Sequence, residues 1–175
     1  INKGSILDES YIATLGKYDF VYSWGVLHHT GNMLKAMEIT SNLVNQNGYL
    51  FIAIYNEQPI KSKIWVYIKR FYNKTNKLIK FFLIILSFLY LWLPKLLLDI
   101  LKFKPLYSWK NYSKLSLRGM SPFTDLIDWV GGYPFEYAKP ELVIDFFLKR
   151  GFILKKLKTV GGKLGCNEFL FIKKN

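Results

Sequence analysis

Tyr18-Asp19-Phe20-Val21-Tyr22-Ser23-Trp24-Gly25-Val26-Leu27-His28-His29-Thr30 is the stretch on which the fold turns. Its first six residues are aromatic or β-branched except for one Asp and a closing Ser, which predicts a buried strand over 18–23. An indole and a glycine follow, and then, after Val26 and Leu27, both histidines of the chain. Downstream, Met33, Leu34, Ala36, Met37, Ile39 and Leu43 recur at helical spacing over 32–43, and Asn47-Gly48 is expected to end that helix as a left-handed cap. Tyr49 to Tyr55 is nearly all apolar over seven residues and predicts a second central strand, parallel to the first. Strand, helix, strand makes a βαβ unit. Function is then expected just past the carboxyl ends of the strands, where ligands of open α/β sheets bind.

Toward the C-terminus, Lys139-Pro140-Glu141 opens a further helix that runs through Phe147 and stops at Gly151. Residues 152–160 and 166–173 read as a closing hairpin around a glycine-rich loop. With 51% hydrophobic residues in 175, the chain can bury one sizeable core. Its lone Cys166 excludes a disulfide framework and a multi-cysteine metal site, and is expected to begin a core strand as a small apolar residue. Adjacent histidines with no third His argue against a metal site, so none is expected.

The net charge of +13 is not spread evenly. Residues 61–118 hold 13 basic groups against one acidic, whereas 1–60 hold 3 against 5 and 119–175 hold 9 against 6. Three parts are therefore expected: 1–60 and 119–175 as the two pieces of one α/β core, and 61–118 as a basic helical insertion. Within the insertion, Ile64, Trp65, Ile68, Phe71, Tyr72 and Ile79 line one helical face and lysines the other. Thirteen uncharged residues, Phe81 to Leu93, precede Pro94. A helix of that length spans about 20 Å, short of the roughly 30 Å hydrocarbon core, so a clean membrane span is not expected. The composition suits peripheral contact with an anionic membrane surface or a lid over a bulky substrate, and the apolar run argues against nucleic acid. The expected location is the cytoplasm, with peripheral attachment at the inner face of the membrane.

The 18–30 stretch resembles the fourth-strand motif of class I S-adenosylmethionine (SAM)-dependent methyltransferases, in which an Asp, a hydrophobic strand and a small residue precede a Leu-x-His turn. Gly4-Ser5-Ile6-Leu7-Asp8 is similar to the end of the third-strand region, and the blocks DWVGGYPFE at 128–136 and GGKLGCNEF at 161–169 resemble bacterial enzymes loosely similar to ubiquinone-biosynthesis O-methyltransferases. The resemblance covers about 1–60 and 118–175. It implies a Rossmann-like α/β fold represented by its fourth to seventh strands, and transfer of a methyl group from SAM to a small-molecule or lipid-linked acceptor. By the same resemblance Ser5 and Ile6 flank the adenine, while Ser23, Trp24 and Gly25 hold the cofactor at the strand end. Asp8 is either part of that region or a helix N-cap.

His29, and less so His28, is a candidate general base; the alternative is that one ties the turn to backbone carbonyls and the other packs against cofactor. Asp128, Tyr133 and Glu136 are candidates for holding the acceptor, in the stretch from Arg118 to Glu136 where the family commonly has a lid; ordinary capping would explain the acids as well. The glycine-rich turn and the ribose-binding acid of the family have no counterpart here. Ile1-Asn2-Lys3-Gly4-Ser5 reads as an internal start, so a truncated enzyme with weak cofactor affinity is expected. The competing expectation is a non-catalytic module of the same fold that binds a membrane or a partner.

Overall fold

The computed structural model describes residues 2–115 and 119–174; Arg118, where the sequence placed the end of the insertion, lies outside them. The chain divides into two compact units, Ile1–Val66 with Pro134–Asn175, and Tyr67–Tyr133. The return to the first unit thus falls at Pro134, later than the charge count placed it.

In the first unit, β1 (Tyr18–Trp24) and β2 (Val44–Tyr55) are parallel, with Phe20 to Trp24 opposite Tyr49 to Ala53. The crossover carries α2 (Met33–Asn42), whose Asn32 side chain accepts the Lys35 amide hydrogen. A short helix, α1 (Glu9–Ala13), precedes β1; Asp8 caps it, accepting from the amides of Ser10 and Tyr11. That settles Asp8 as an N-cap. After α8 (Pro140–Leu148), β3 (Phe152–Lys158) and β4 (Cys166–Lys173) form the expected antiparallel hairpin, but β4 inserts between β2 and β3, giving the order β1-β2-β4-β3. Leu50, Ile52 and Ile54 of β2 join Phe169 and Phe171 of β4 at the strand period of two, and α2 and α8 cover them with Ala36, Met37, Val143 and Phe147.

Two expectations are corrected here. Asn47-Gly48 does not end α2, which stops at Asn42. Tyr18 faces Val44 but Phe20 already faces Tyr49, so β2 carries extra residues in a bulge, with Asn47 at φ 59° and Gly48 so tight that a Cβ would lie 2.9 Å from the Asn45 carbonyl oxygen. Left-handed backbone was correctly signalled by the Asn-Gly pair, but it serves the strand. Nor is β1 buried: Tyr18, Phe20 and Tyr22 are 46%, 57% and 63% exposed, because at the strand period of two they share the face of Tyr49 and Phe51, opposite the core face of Val21 and Leu50.

The second unit is helical. The helix α3 (Lys61–Lys74) runs across the boundary, and α4 (Lys77–Leu101), α5 (Tyr107–Lys110), α6 (Tyr112–Leu115) and α7 (Pro122–Gly131) follow. Asn76 starts α4 by accepting the Ile79 amide hydrogen. The helix then passes through Pro94, giving up one backbone hydrogen bond instead of ending, and reaches 25 residues. At about 37 Å it is long and apolar enough to cross a membrane, which corrects the shorter span read from the uncharged run. One stripe of it is packed. Trp92 sits edge-on to Trp109 and Tyr112, and Asp99 accepts from the Ser108 amide and hydroxyl at 2.7 Å each. Tyr112 in turn donates to Asp125 of α7.

Candidate functional site

At the carboxyl end of β1, Ser23 and Trp24 lie opposite Ile52 and Ala53 of β2, and the chain changes direction directly after Trp24. Gly25 makes that change at φ 73°, in the left-handed region where a side chain would be strained, and the space around its Cα is open. A single 3-10 turn, Leu27–His29, follows, anchored by the buried Leu27.

The two histidines of that turn have different surroundings. His28 is fully buried; its Nδ1 accepts the Tyr55 amide hydrogen at 3.3 Å, and its ring lies 4.0 Å from that of Tyr55. An amide can only donate, so Nδ1 of His28 is the acceptor nitrogen. His29 is half-buried, and its Nδ1 lies 2.6 Å from the Pro134 carbonyl oxygen. A carbonyl can only accept, so Nδ1 of His29 carries the proton and Nε2 is the basic nitrogen. Identical side chains one position apart are thus set in opposite tautomers by backbone groups. The alternative in which one His ties the turn to a carbonyl is realised by His29, the residue also favoured as base; the two roles are compatible because they use different nitrogens.

A strap formed by residues 134–138 holds the turn against β2. Besides Pro134, Glu136 donates its amide hydrogen to the His28 carbonyl at 2.9 Å, and Ala138 donates to the Tyr55 carbonyl at 3.0 Å. The Glu136 carboxylate accepts the Met33 amide hydrogen with both oxygens, at 3.1 and 3.0 Å, placing a negative charge at the N-terminus of α2. Phe135 packs its ring 4.9 Å from Tyr55 and 6.4 Å from His29.

Of the residues singled out in sequence, the structure groups His28, His29 and Glu136, with Ser23, Trp24 and Gly25 leading into them. Ser5 and Ile6 lie ahead of α1, where the Ser5 hydroxyl accepts the Leu7 amide hydrogen and Ile6 packs on the core. Asp128 and Tyr133 belong to the second unit. Tyr55 and Phe135 were not anticipated as site residues, since each reads as ordinary apolar strand or loop. A second missed group lies at the end of β2. Buried Asn167 donates to Asn56 at 2.9 Å and accepts the Val160 amide hydrogen, organising the glycine-rich loop beside an open depression of about 440 Å³ that Lys139 and Glu141 also line.

No protein-family model matches the chain, and no curated protein sequence does. Among solved structures, an O-methyltransferase family protein from Burkholderia thailandensis superposes with a TM-score of 0.52 over 99% of this chain and 35% of that one, at 10% identity. The fold is that of a class I methyltransferase. PKMT2 from Rickettsia typhi, solved in complex with AdoHcy, is similar over 97% of this chain and 39% of its own at 15% identity and a TM-score of 0.49. The chain therefore spans a little over a third of the length of these structures.

Proposed function

We propose that the chain takes part in SAM-dependent methyl transfer, with the turn after β1 as the reacting end. The observation that carries this reading is the position and tautomer of His29. It stands just beyond the carboxyl ends of two parallel strands, and the Pro134 carbonyl fixes Nε2 as its basic nitrogen. SAM, when bound, supplies the electrophilic methyl group. The open left-handed turn at Gly25 allows close approach of a ligand to the backbone, and the Trp24 indole offers a flat face to adenine or a sulfonium, a contact worth about 0.5 to 2 kcal/mol. Ser5 and Ile6 would complete the adenine side. His29 would take the proton from an acceptor hydroxyl or amine as it attacks, while the strap keeps the imidazole oriented. A small-molecule or lipid-linked acceptor fits a reaction that depends on positioning more than on covalent catalysis. Glu136, engaged with α2, serves this reading as a positioning residue.

Calorimetric titration with SAM, on this chain and on any longer polypeptide that contains it, tests the reading. His29→Gln is expected to lower the methyl-transfer rate by about 10²- to 10⁴-fold with SAM affinity little changed. Absence of SAM binding in both polypeptides, or unaltered turnover in the variant, defeats it.

A further inference from the structure

The structure gives the insertion a surface that the site above does not use. Along α4, Leu78, Phe82, Leu86, Leu89, Leu93, Leu97 and Ile100 follow one another at intervals of three or four and are all 42% or more exposed. This apolar stripe runs for about 33 Å. At 100° per residue, Lys77, Lys80, Lys95 and Lys102 fall on roughly the opposite side, beside the packed stripe of Trp92 and Asp99. Immediately after α4 comes Phe103, 93% exposed and flanked by Lys102 and Lys104. From Tyr67 to Leu115 there are ten basic residues and one acidic, Asp99, which is committed to Ser108.

We propose that the second unit docks on an anionic lipid bilayer with α4 lying in the plane of the interface, its Leu78-to-Ile100 stripe in the acyl boundary and its lysines reaching the headgroups. Apolar area supplies insertion, and each lysine near an anionic surface adds about 1 kcal/mol. The same charge disfavours a second copy as occupant, because facing stripes would bring two cationic units together. Crossing the bilayer is disfavoured by the charges on the helix itself. Lys80 and Lys95 enclose fourteen uncharged residues, about 21 Å of helix, and α5 and α6 are tied to it through Trp109, Ser108 and Tyr112. The proposal is independent of the methyl-transfer reading.

The test is co-sedimentation of the full chain with phosphatidylcholine vesicles and with mixed phosphatidylcholine and phosphatidylglycerol vesicles. Partition into the mixed vesicles is expected to be stronger by about tenfold or more, to fall on raising salt, and to be lost in Leu86→Glu with Leu93→Glu. Both positions are exposed, so circular dichroism should be unchanged; Phe103→Ser, outside the helix, provides a second variant that should weaken binding. Nitroxide labels at Leu78, Leu89 and Ile100, in a Cys166→Ser background, should report equal depth. Equal partition into both vesicle types, no partition at all, or binding unaltered by the glutamates overturns the proposal. So does an oligomer in solution that the glutamates dissociate, which would assign the stripe to a second copy, and so does a stepwise depth series, which would mean that α4 spans.

Discussion

The helix α4 is more apolar in sequence than the strands β2 and β4, yet it is the strands that are buried. In the sheet, Leu50, Ile52, Phe169 and Phe171 are wholly buried, with Phe171 in ring contact with Phe147, Phe152 and Phe169. In α4, only Ser87, Trp92 and Asp99 of 25 residues are buried, and two of those three are polar. Apolar composition therefore does not locate the core of this chain. Period does: in the strands, alternation aims every second side chain at α2 and α8, whereas α4 offers apolar groups around most of its circumference and packs along one stripe only. The contrast makes its largest prediction at Phe171. Truncation to Ala should destabilise the first unit by about 3 to 5 kcal/mol, read from urea denaturation, because an aromatic cage cannot collapse onto the vacated volume. A loss below about 1 kcal/mol would mean that the sheet core is as loosely held as α4.

How far each region was legible follows the same division. The βαβ unit, α8 and the closing hairpin are written in local periodicity and in Gly, Pro and Asn signals, and the structure has them within a few residues. The turn bearing the histidines was placed at a strand end for the same reason. Local pattern could not show that β4 enters between β2 and β3, since this is a choice among long-range pairings. It could not show what fixes the tautomer of His29 either, because the Pro134 carbonyl is 105 positions away. Tyr55 and Phe135 looked like filler until the strap brought them beside the histidines. In α4, Pro94 reads as a stop, but the loss of one hydrogen bond is tolerated in a helix with many others. The exposure of Tyr18, Phe20 and Tyr22 was hidden because strand pattern reports what a face is fit to bury and not whether a neighbour covers it.

The second unit has a polar interior of its own, which sharpens the comparison. Lys69 is fully buried; its ammonium donates to the Trp129 carbonyl and lies 4.4 Å from the centre of the Trp129 ring. Burial pushes its pKa down from 10.5 to about 7, with the Asp128 carboxylate pulling in the other direction. Between those two values the unfolded chain holds a proton that the folded unit does not. Stability of the second unit should therefore rise with pH across this window, with a slope of up to about 1.4 kcal/mol per pH unit, and the contribution should be flat below it. Thermal unfolding followed from about pH 7 to about pH 9 should show the rise, and Lys69→Met should flatten it. A slope that survives the substitution would assign the titration to another group.

The smallest expected effect is the most discriminating. Leu86, 62% exposed in the middle of the α4 stripe, is chemically the equal of Leu50, which is fully buried in β2. In water, Leu86→Ala should change stability by no more than about 0.5 kcal/mol, because Ala is the better helix former and little packing is lost. With anionic vesicles present the same substitution should weaken binding, since the removed methyl groups are then the ones leaving water on docking. Near-neutrality in solution joined to a loss on lipid is the signature of a surface kept apolar for something other than folding. A cost above about 1 kcal/mol in lipid-free buffer would instead place Leu86 in a packed contact and dissolve the distinction between the two regions.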